Sequence, residues 1–227
     1  MAQQYTILFD LDGTLVDTAP DLMRAHNHVM KKFGFPTKST EEIRNLVGQG
    51  AGAMLGRSIW GQAKKEFGKV QDDKIKKEMV KDFVDFYGKN IVNESTLISG
   101  VKEFLIWCKE KRISMAVCTN KQEHLAIDLL KKIGIYDFFE YVAGHNTFEY
   151  CKPDPRHLTS VVEILGGDIK KTLMIGDSET DSNAAKNAGI PVILLEDGYT
   201  EKKISEIYHN HLIKDFIGIE KIILKYL

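Results

Sequence analysis

The chain has 227 residues, 43% of them hydrophobic, with 31 basic and 32 acidic side chains and a formal net charge of −1. That length suits one sizeable domain, or a core with one smaller insertion, and the near-neutral charge excludes the large single-sign field that non-specific nucleic-acid binding needs. Cys108, Cys118 and Cys151 are odd in number and lack metal-ligand spacing, so reduced thiols, a cytoplasmic setting and a small-molecule partner are expected. No segment reads as a signal peptide, and no apolar run nears the ~18 residues of a membrane span, so no membrane partner is expected either.

The first predicted strand, Tyr5 to Phe9, runs directly into Asp10-Leu11-Asp12-Gly13-Thr14-Leu15. Two carboxylates two residues apart at the carboxyl end of a strand can hold Mg²⁺ and attack phosphorus, while Gly13 permits a tight turn and Thr14 brings a donor hydroxyl. From about residue 18 to 90 no strand pattern stands out and four helical patterns follow one another. Leu22, Ala25, Val29 and Phe33 mark one apolar face, and Ile75, Met79, Phe83 and Phe86 another. Thr18, with Asp21 three residues on, is expected to cap the first helix. Arg24, His26 and His28 read first as exposed helix residues, with a place at the interface of this helical region as the alternative. Between the helices, Val47-Gly48-Gln49-Gly50-Ala51-Gly52-Ala53 reads either as a loop that meets the far end of a substrate or as a plain connection. The charged run Lys74 to Asp82 reads as a solvated helix face.

From about residue 96 onward, short apolar segments alternate with helical patterns, the signature of strand-helix units around a parallel sheet. Strands are expected at Ile113 to Cys118, Tyr141 to Ala143, Leu173 to Ile175 and Val192 to Leu195. The helical spacings are Val101, Phe104, Leu105 and Cys108, then Leu125, Leu129 and Ile133, then Leu158, Val161 and Leu165. Gly134 and Gly166 stand where helix C-caps belong.

Polar residues follow these strands too: Thr119-Asn120 after the second, Lys152-Pro153 after the third, and Gly176-Asp177-Ser178-Glu179-Thr180-Asp181 after the fourth. The carboxyl ends of parallel strands share one edge, so these groups can converge. The set Asp10-x-Asp12-x-Thr14, Thr119, Lys152 and Gly176-Asp177-x-x-x-Asp181 resembles the haloacid dehalogenase superfamily of hydrolases over nearly the whole chain. The insertion between the first motif and the second strand resembles the small helical cap of its phosphoglycolate phosphatase and β-phosphoglucomutase branch, and Asp10 to Thr18, Val47 to Ala51, Thr119-Asn120-Lys121, Ala184-Ala185, Ala188-Gly189 and Asp197-Gly198-Tyr199 are similar to the phosphoglycolate phosphatases.

The resemblance implies an α/β, doubly wound parallel sheet of Rossmann-like type formed by residues 1–16 and 96–227, with a helical cap over residues 17–95. It implies hinges near Val16 to Pro20 and Tyr87 to Ser99, and a Mg²⁺-dependent phosphomonoester hydrolase. Asp10 is then the nucleophile and Asp12 the acid-base, with Mg²⁺ held by Asp10, Asp177 and the backbone carbonyl of Asp12. Thr119, Asn120 and Lys152 bind the phosphoryl group. Asp181 either supports this set from behind or compensates a helix N-terminus. Gly48, Gln49 and Gly50 are candidates for a substrate loop in the cap. The expected partner is a small phosphorylated metabolite, 2-phosphoglycolate in the first place. Another phosphatase, a pyrophosphatase or a mutase of the branch is the alternative, and a non-catalytic binding protein on the same fold a remoter one. Oligomeric state is not legible in the residues.

Overall fold

The computed structural model describes residues 5–60 and 70–226, with the backbone alone for residues 60 and 70–75. Six strands form one sheet: β1 (Thr6–Phe9), β4 (Ser114–Cys118), β5 (Tyr141–Ala143), β6 (Thr172–Gly176), β7 (Val192–Leu195) and β8 (His211–Ile213). Their order is β5-β4-β1-β6-β7-β8, and every pairing is parallel. In β1, β4, β6 and β7 every residue is buried, which is why these strands read as continuous apolar runs rather than alternating ones.

Helices cover both faces. On one side α5 (Val101–Glu110) and α6 (Glu123–Ile133) pack against Ile7, Phe9, Met115 and Ile175, joined by the short α9 (Glu220–Ile223). On the other, α7 (Arg156–Ile164) and α8 (Glu179–Ala188) pack against Leu8, Ala116 and Met174. Gly134 caps α6 in the left-handed conformation, and Gly166, also at positive φ, follows the end of α7.

A second, two-stranded antiparallel ribbon pairs β2 (Val16–Asp17) with β3 (Thr96–Leu97). Neither strand is visible as a pattern, since two residues carry no periodicity. Between them, among the described residues, run α1 (Ala19–Phe33), α2 (Thr40–Arg44), α3 (Ala51–Trp60) and α4 (Val70–Lys89). The α1 face holds as expected at Leu22, Ala25 and Val29, with Phe33 half-buried at its end. On α4 the buried series is Met79, Phe83 and Tyr87, not Phe86, which is half-buried and stacks on His28; the side chain of Ile75 lies outside the described residues.

Two local expectations are corrected. Thr18 precedes α1 but makes no capping bond with its side chain; its hydroxyl donates to Asp12 Oδ1 at 2.6 Å. Asp21 instead accepts the backbone N–H groups of Asn93, Glu94 and Ser95 and the Ser95 hydroxyl. Burial opposes its ionisation, but these donors outweigh it and hold the carboxyl below its ordinary value. His26 is fully buried rather than exposed, with Nε2 2.7 Å from the Ser58 hydroxyl.

Candidate active site

The register of three strands builds the site. Phe9 lies opposite Val117 of β4 and Ile175 of β6, so Asp10 emerges level with Cys118 and Gly176, and Thr119 and Asp177 flank it one residue later. β1 is also where the chain turns from one half of the sheet to the other, the place where open parallel sheets gather ligands. The Asp10 backbone N–H donates to Ile175 O at 2.9 Å, which extends the ladder to the first acid of the pair.

Lys152, on the segment after β5, is 3% exposed and lies 2.8 Å from Asp10 and 2.6 Å from Asp181. Burial disfavours its charge, but Asp10 and Asp181 outweigh that and hold it cationic above the ordinary lysine range. Asp181 Oδ2 also accepts from the Ser178 hydroxyl at 2.6 Å and the Ser178 N–H at 3.0 Å, as part of the capping box of α8. The two readings of Asp181 are therefore compatible: one oxygen pairs with Lys152 and the other caps the helix.

Asp177 accepts from the Thr14 hydroxyl at 3.1 Å and from the Tyr199 N–H at 2.7 Å. Oxygens of Asp10, Asp177 and Asp181 lie within 4.8 Å of one another. Burial, opposed by Lys152 and reinforced by Asp181, pushes the Asp10 carboxyl up to about 6. Burial and the other two carboxylates raise Asp177 as well. Three buried acids around one lysine form a hard-oxygen set with excess negative charge, a chemistry that suits a divalent cation. Gly13 permits this crowding: its φ is +83°, and a Cβ there would stand 2.2 Å from Asp177 Oδ2.

Asp12 faces a different environment. Its two oxygens are 2.7 and 3.0 Å from Lys121 Nζ, and the Lys121 side chain is 5% exposed. Lys121 appeared in the sequence only as part of Thr119-Asn120-Lys121, with no role; its partner is 109 residues away and only the sheet register brings the two together. Thr119 is 2% exposed, and its hydroxyl accepts the Lys121 N–H at 3.2 Å; it does not cap α6, whose N-cap is Gln122. The Asn120 amide donates to Lys152 O at 2.9 Å and to Gly48 O at 3.0 Å, tying the segment after β4 to the loop between α2 and α3.

A cavity of about 380 Å³ opens over these residues, lined on the sheet side by Asp10, Asp12, Thr119, Asn120 and Lys121. Gly48, Gln49 and Gly50 line its helical side, with Phe83 and Tyr87 of α4. The loop thus borders the same space as the acid pair.

The chain matches the haloacid dehalogenase-like hydrolase family over residues 7–195. It belongs to that family. A phosphoglycolate phosphatase of Caulobacter vibrioides is 38% identical over 216 residues, 95% of this chain and 89% of that protein. One from Mesorhizobium japonicum is 37% identical over 210 residues, 92% and 90% of the two chains. A Haemophilus somnus crystal structure described as a predicted phosphoglycolate phosphatase superposes with a TM-score of 0.87 at 33% identity, covering 98% of this chain and 99% of its own. The doubly wound sheet is thus the hydrolase fold of the family.

The polar network of this hydrolase extends to residues that the sequence did not single out as a group. The Tyr199 hydroxyl accepts from the Ala19 N–H at 2.9 Å and donates to Asp17. Arg44 of α2 pairs with Asp17 at 2.7 Å and lies 5.3 Å from the centre of the Tyr199 ring. Burial, together with the Asp17 carboxylate, holds the Tyr199 phenol well above its ordinary value, so it stays a donor. Among the described residues no helix is long and apolar enough to cross a membrane.

Proposed function

We propose that this hydrolase is a Mg²⁺-dependent phosphomonoester phosphatase that works through an aspartyl-phosphate, with 2-phosphoglycolate as its substrate. The observation that carries the reading is the placement of Asp10: a buried carboxylate at the head of the central strand, facing a cavity, with Lys152 at 2.8 Å and two further carboxylates around it. The named activity of the relatives supports the substrate. In this reading residues 1–16 and 96–227 are the catalytic core, and residues 17–95 are a cap over it. The unpaired cysteines suit a cytoplasmic enzyme.

An oxygen of Asp10 forms a bond to phosphorus while the ester oxygen leaves, taking a proton from Asp12. A water then attacks phosphorus, gives its proton to Asp12, and releases phosphate with Asp10 restored. Lys152 holds positive charge beside the nucleophile throughout, and Thr119 and Asn120 orient the phosphoryl oxygens. Asp10, Asp177 and the carbonyl of Asp12 would hold Mg²⁺, which supplies charge neutralisation between the acids and the anionic ester. Asp181 positions Lys152.

Hydrolysis of p-nitrophenyl phosphate with and without Mg²⁺ tests the reaction class. Wild type should turn over only with the metal and Asp10→Asn not at all; turnover by Asp10→Asn equal to wild type refutes the mechanism. A panel of esters ranked by kcat/KM tests the substrate, and preference for a sugar or nucleotide phosphate over 2-phosphoglycolate refutes it.

A further inference from the structure

We propose that Lys121 and Tyr87 form a subsite for a second anionic group, a carboxylate, on the phosphate ester; the inference rests on the phosphatase reading of the same cavity. The phosphoryl end is marked by Asp10 and Thr119, whose cation, Lys152, lies behind Asp10 and does not line the cavity. Beyond that end the walls are largely apolar, with Leu22, Val47, Met54, Phe83 and Leu125 among them. An ionised group pushed into such walls without a partner carries a heavy desolvation cost.

The lysines lining the cavity are Lys76 and Lys121. Lys76 also borders an adjoining open groove with Lys77 and Lys81, which places it toward the rim. Lys121 lies deep, its side chain 5% exposed, with Nζ 4.4 Å from the centre of the Tyr87 ring. An ammonium has three N–H donors. Two meet the oxygens of Asp12, and among the described residues no acceptor meets the third, which we assign to the ligand.

Tyr87 supplies the second donor. It is 1% exposed and lines the same cavity, and its hydroxyl, closed to solvent in this conformation, has no hydrogen-bond partner among the described residues. Burial holds its phenol well above the ordinary value, so it is a donor throughout the neutral range. An N–H on a cation and a neighbouring O–H answer the two oxygens of a carboxylate. One donor comes from the segment after β4 and the other from α4, so a bound carboxylate touches both sides of the cavity. The substrate class that follows is a short phosphoester bearing a carboxylate. An ester of the same length without the carboxylate leaves both donors unused.

The test compares 2-phosphoglycolate with ethyl phosphate. Wild type should favour the carboxylate ester in kcat/KM, and Lys121→Met should lower that ratio by about tenfold or more, as expected for loss of a buried charged hydrogen bond. Tyr87→Phe should lower it in the same direction. Equal losses on both esters would mean that Lys121 serves Asp12 alone and would overturn the subsite, as would a wild-type ratio near unity. Titration calorimetry of both esters with Asp10→Asn protein, with and without Lys121→Met, reads binding without turnover. If wild type hydrolyses neither ester the 2-phosphoglycolate reading fails, and the calorimetric preference still decides the subsite. Should Lys121→Met not fold in a thermal melt, Tyr87→Phe carries the test, and an unchanged ratio overturns the proposal.

Discussion

Replacing Asp10 by its amide should make the metal-free protein more stable at neutral pH, not less. The Asp10 carboxyl is held at about 6 against an ordinary 3.8 because burial, with Asp181 close by, disfavours its charge more than Lys152 supports it. That difference is worth about 3 kcal/mol of folding free energy. The sign follows from which state holds the proton. Below 3.8 both folded and unfolded chains are protonated at this position, and the stability present there is lost as pH rises through about 6. Asp10→Asn keeps the shape, removes the titration and leaves Lys152 paired with Asp181 at 2.6 Å. In EDTA at neutral pH the variant should therefore melt above wild type by up to about 6–12 °C, taking about 2–4 °C per kcal/mol for a chain of this size. The gap should close at acid pH. Mg²⁺ should raise wild type more than the variant, since it favours the ionised carboxyl that the empty fold penalises. Thermal melts by circular dichroism across this range check the argument, and a variant less stable than wild type in EDTA at neutral pH would refute it.

Gly13→Ala should abolish Mg²⁺-stimulated turnover and lower the melting temperature, because the added Cβ would meet Asp177 Oδ2 at 2.2 Å on a backbone at φ +83°; activity within twofold of wild type would contradict this. Asp21→Ala should destabilise by about 3 kcal/mol, since it strips acceptors from three backbone N–H groups and a hydroxyl, whereas Thr18→Ala should cost distinctly less; denaturant melts compare them. Tyr199→Phe, which removes the hydroxyl shared by Ala19 and Asp17, should lower stability by about 1–3 kcal/mol. A thermal melt unchanged from wild type would speak against that bond.

The chemistry of this chain was legible where strands were. Parallel strands buried on both faces leave unbroken apolar runs, and the polar residue after each run is the one exposed at the shared edge. Asp10, Thr119 and Asp177 could be read in that way. The pairing of Asp12 with Lys121 could not, since it depends on the register of β1 against β4 rather than on any local pattern. Asp21 misled because its spacing from Thr18 fits a cap, yet the N–H groups of residues 93 to 95 offer it more donors than its own helix does. On α4, positions 86 and 87 both suit a helical period counted from Phe83, and only the packing distinguishes buried Tyr87 from half-buried Phe86. The short edge strand β8, His-Leu-Ile, is too brief and too polar at its start to announce itself.

Asp10 is anchored where the backbone should open last. The amide of Asp10 is bonded into β6, in a strand paired on both sides and buried on both faces, so deuterium should reach it only through separation of the central sheet. The Gly48 carbonyl meets the sheet side through one side-chain amide of Asn120, a tie that local fluctuation can release and remake. Exchange rates along the chain should accordingly divide this enzyme into a slow clock at Asp10 and a fast one at the loop that borders the cavity.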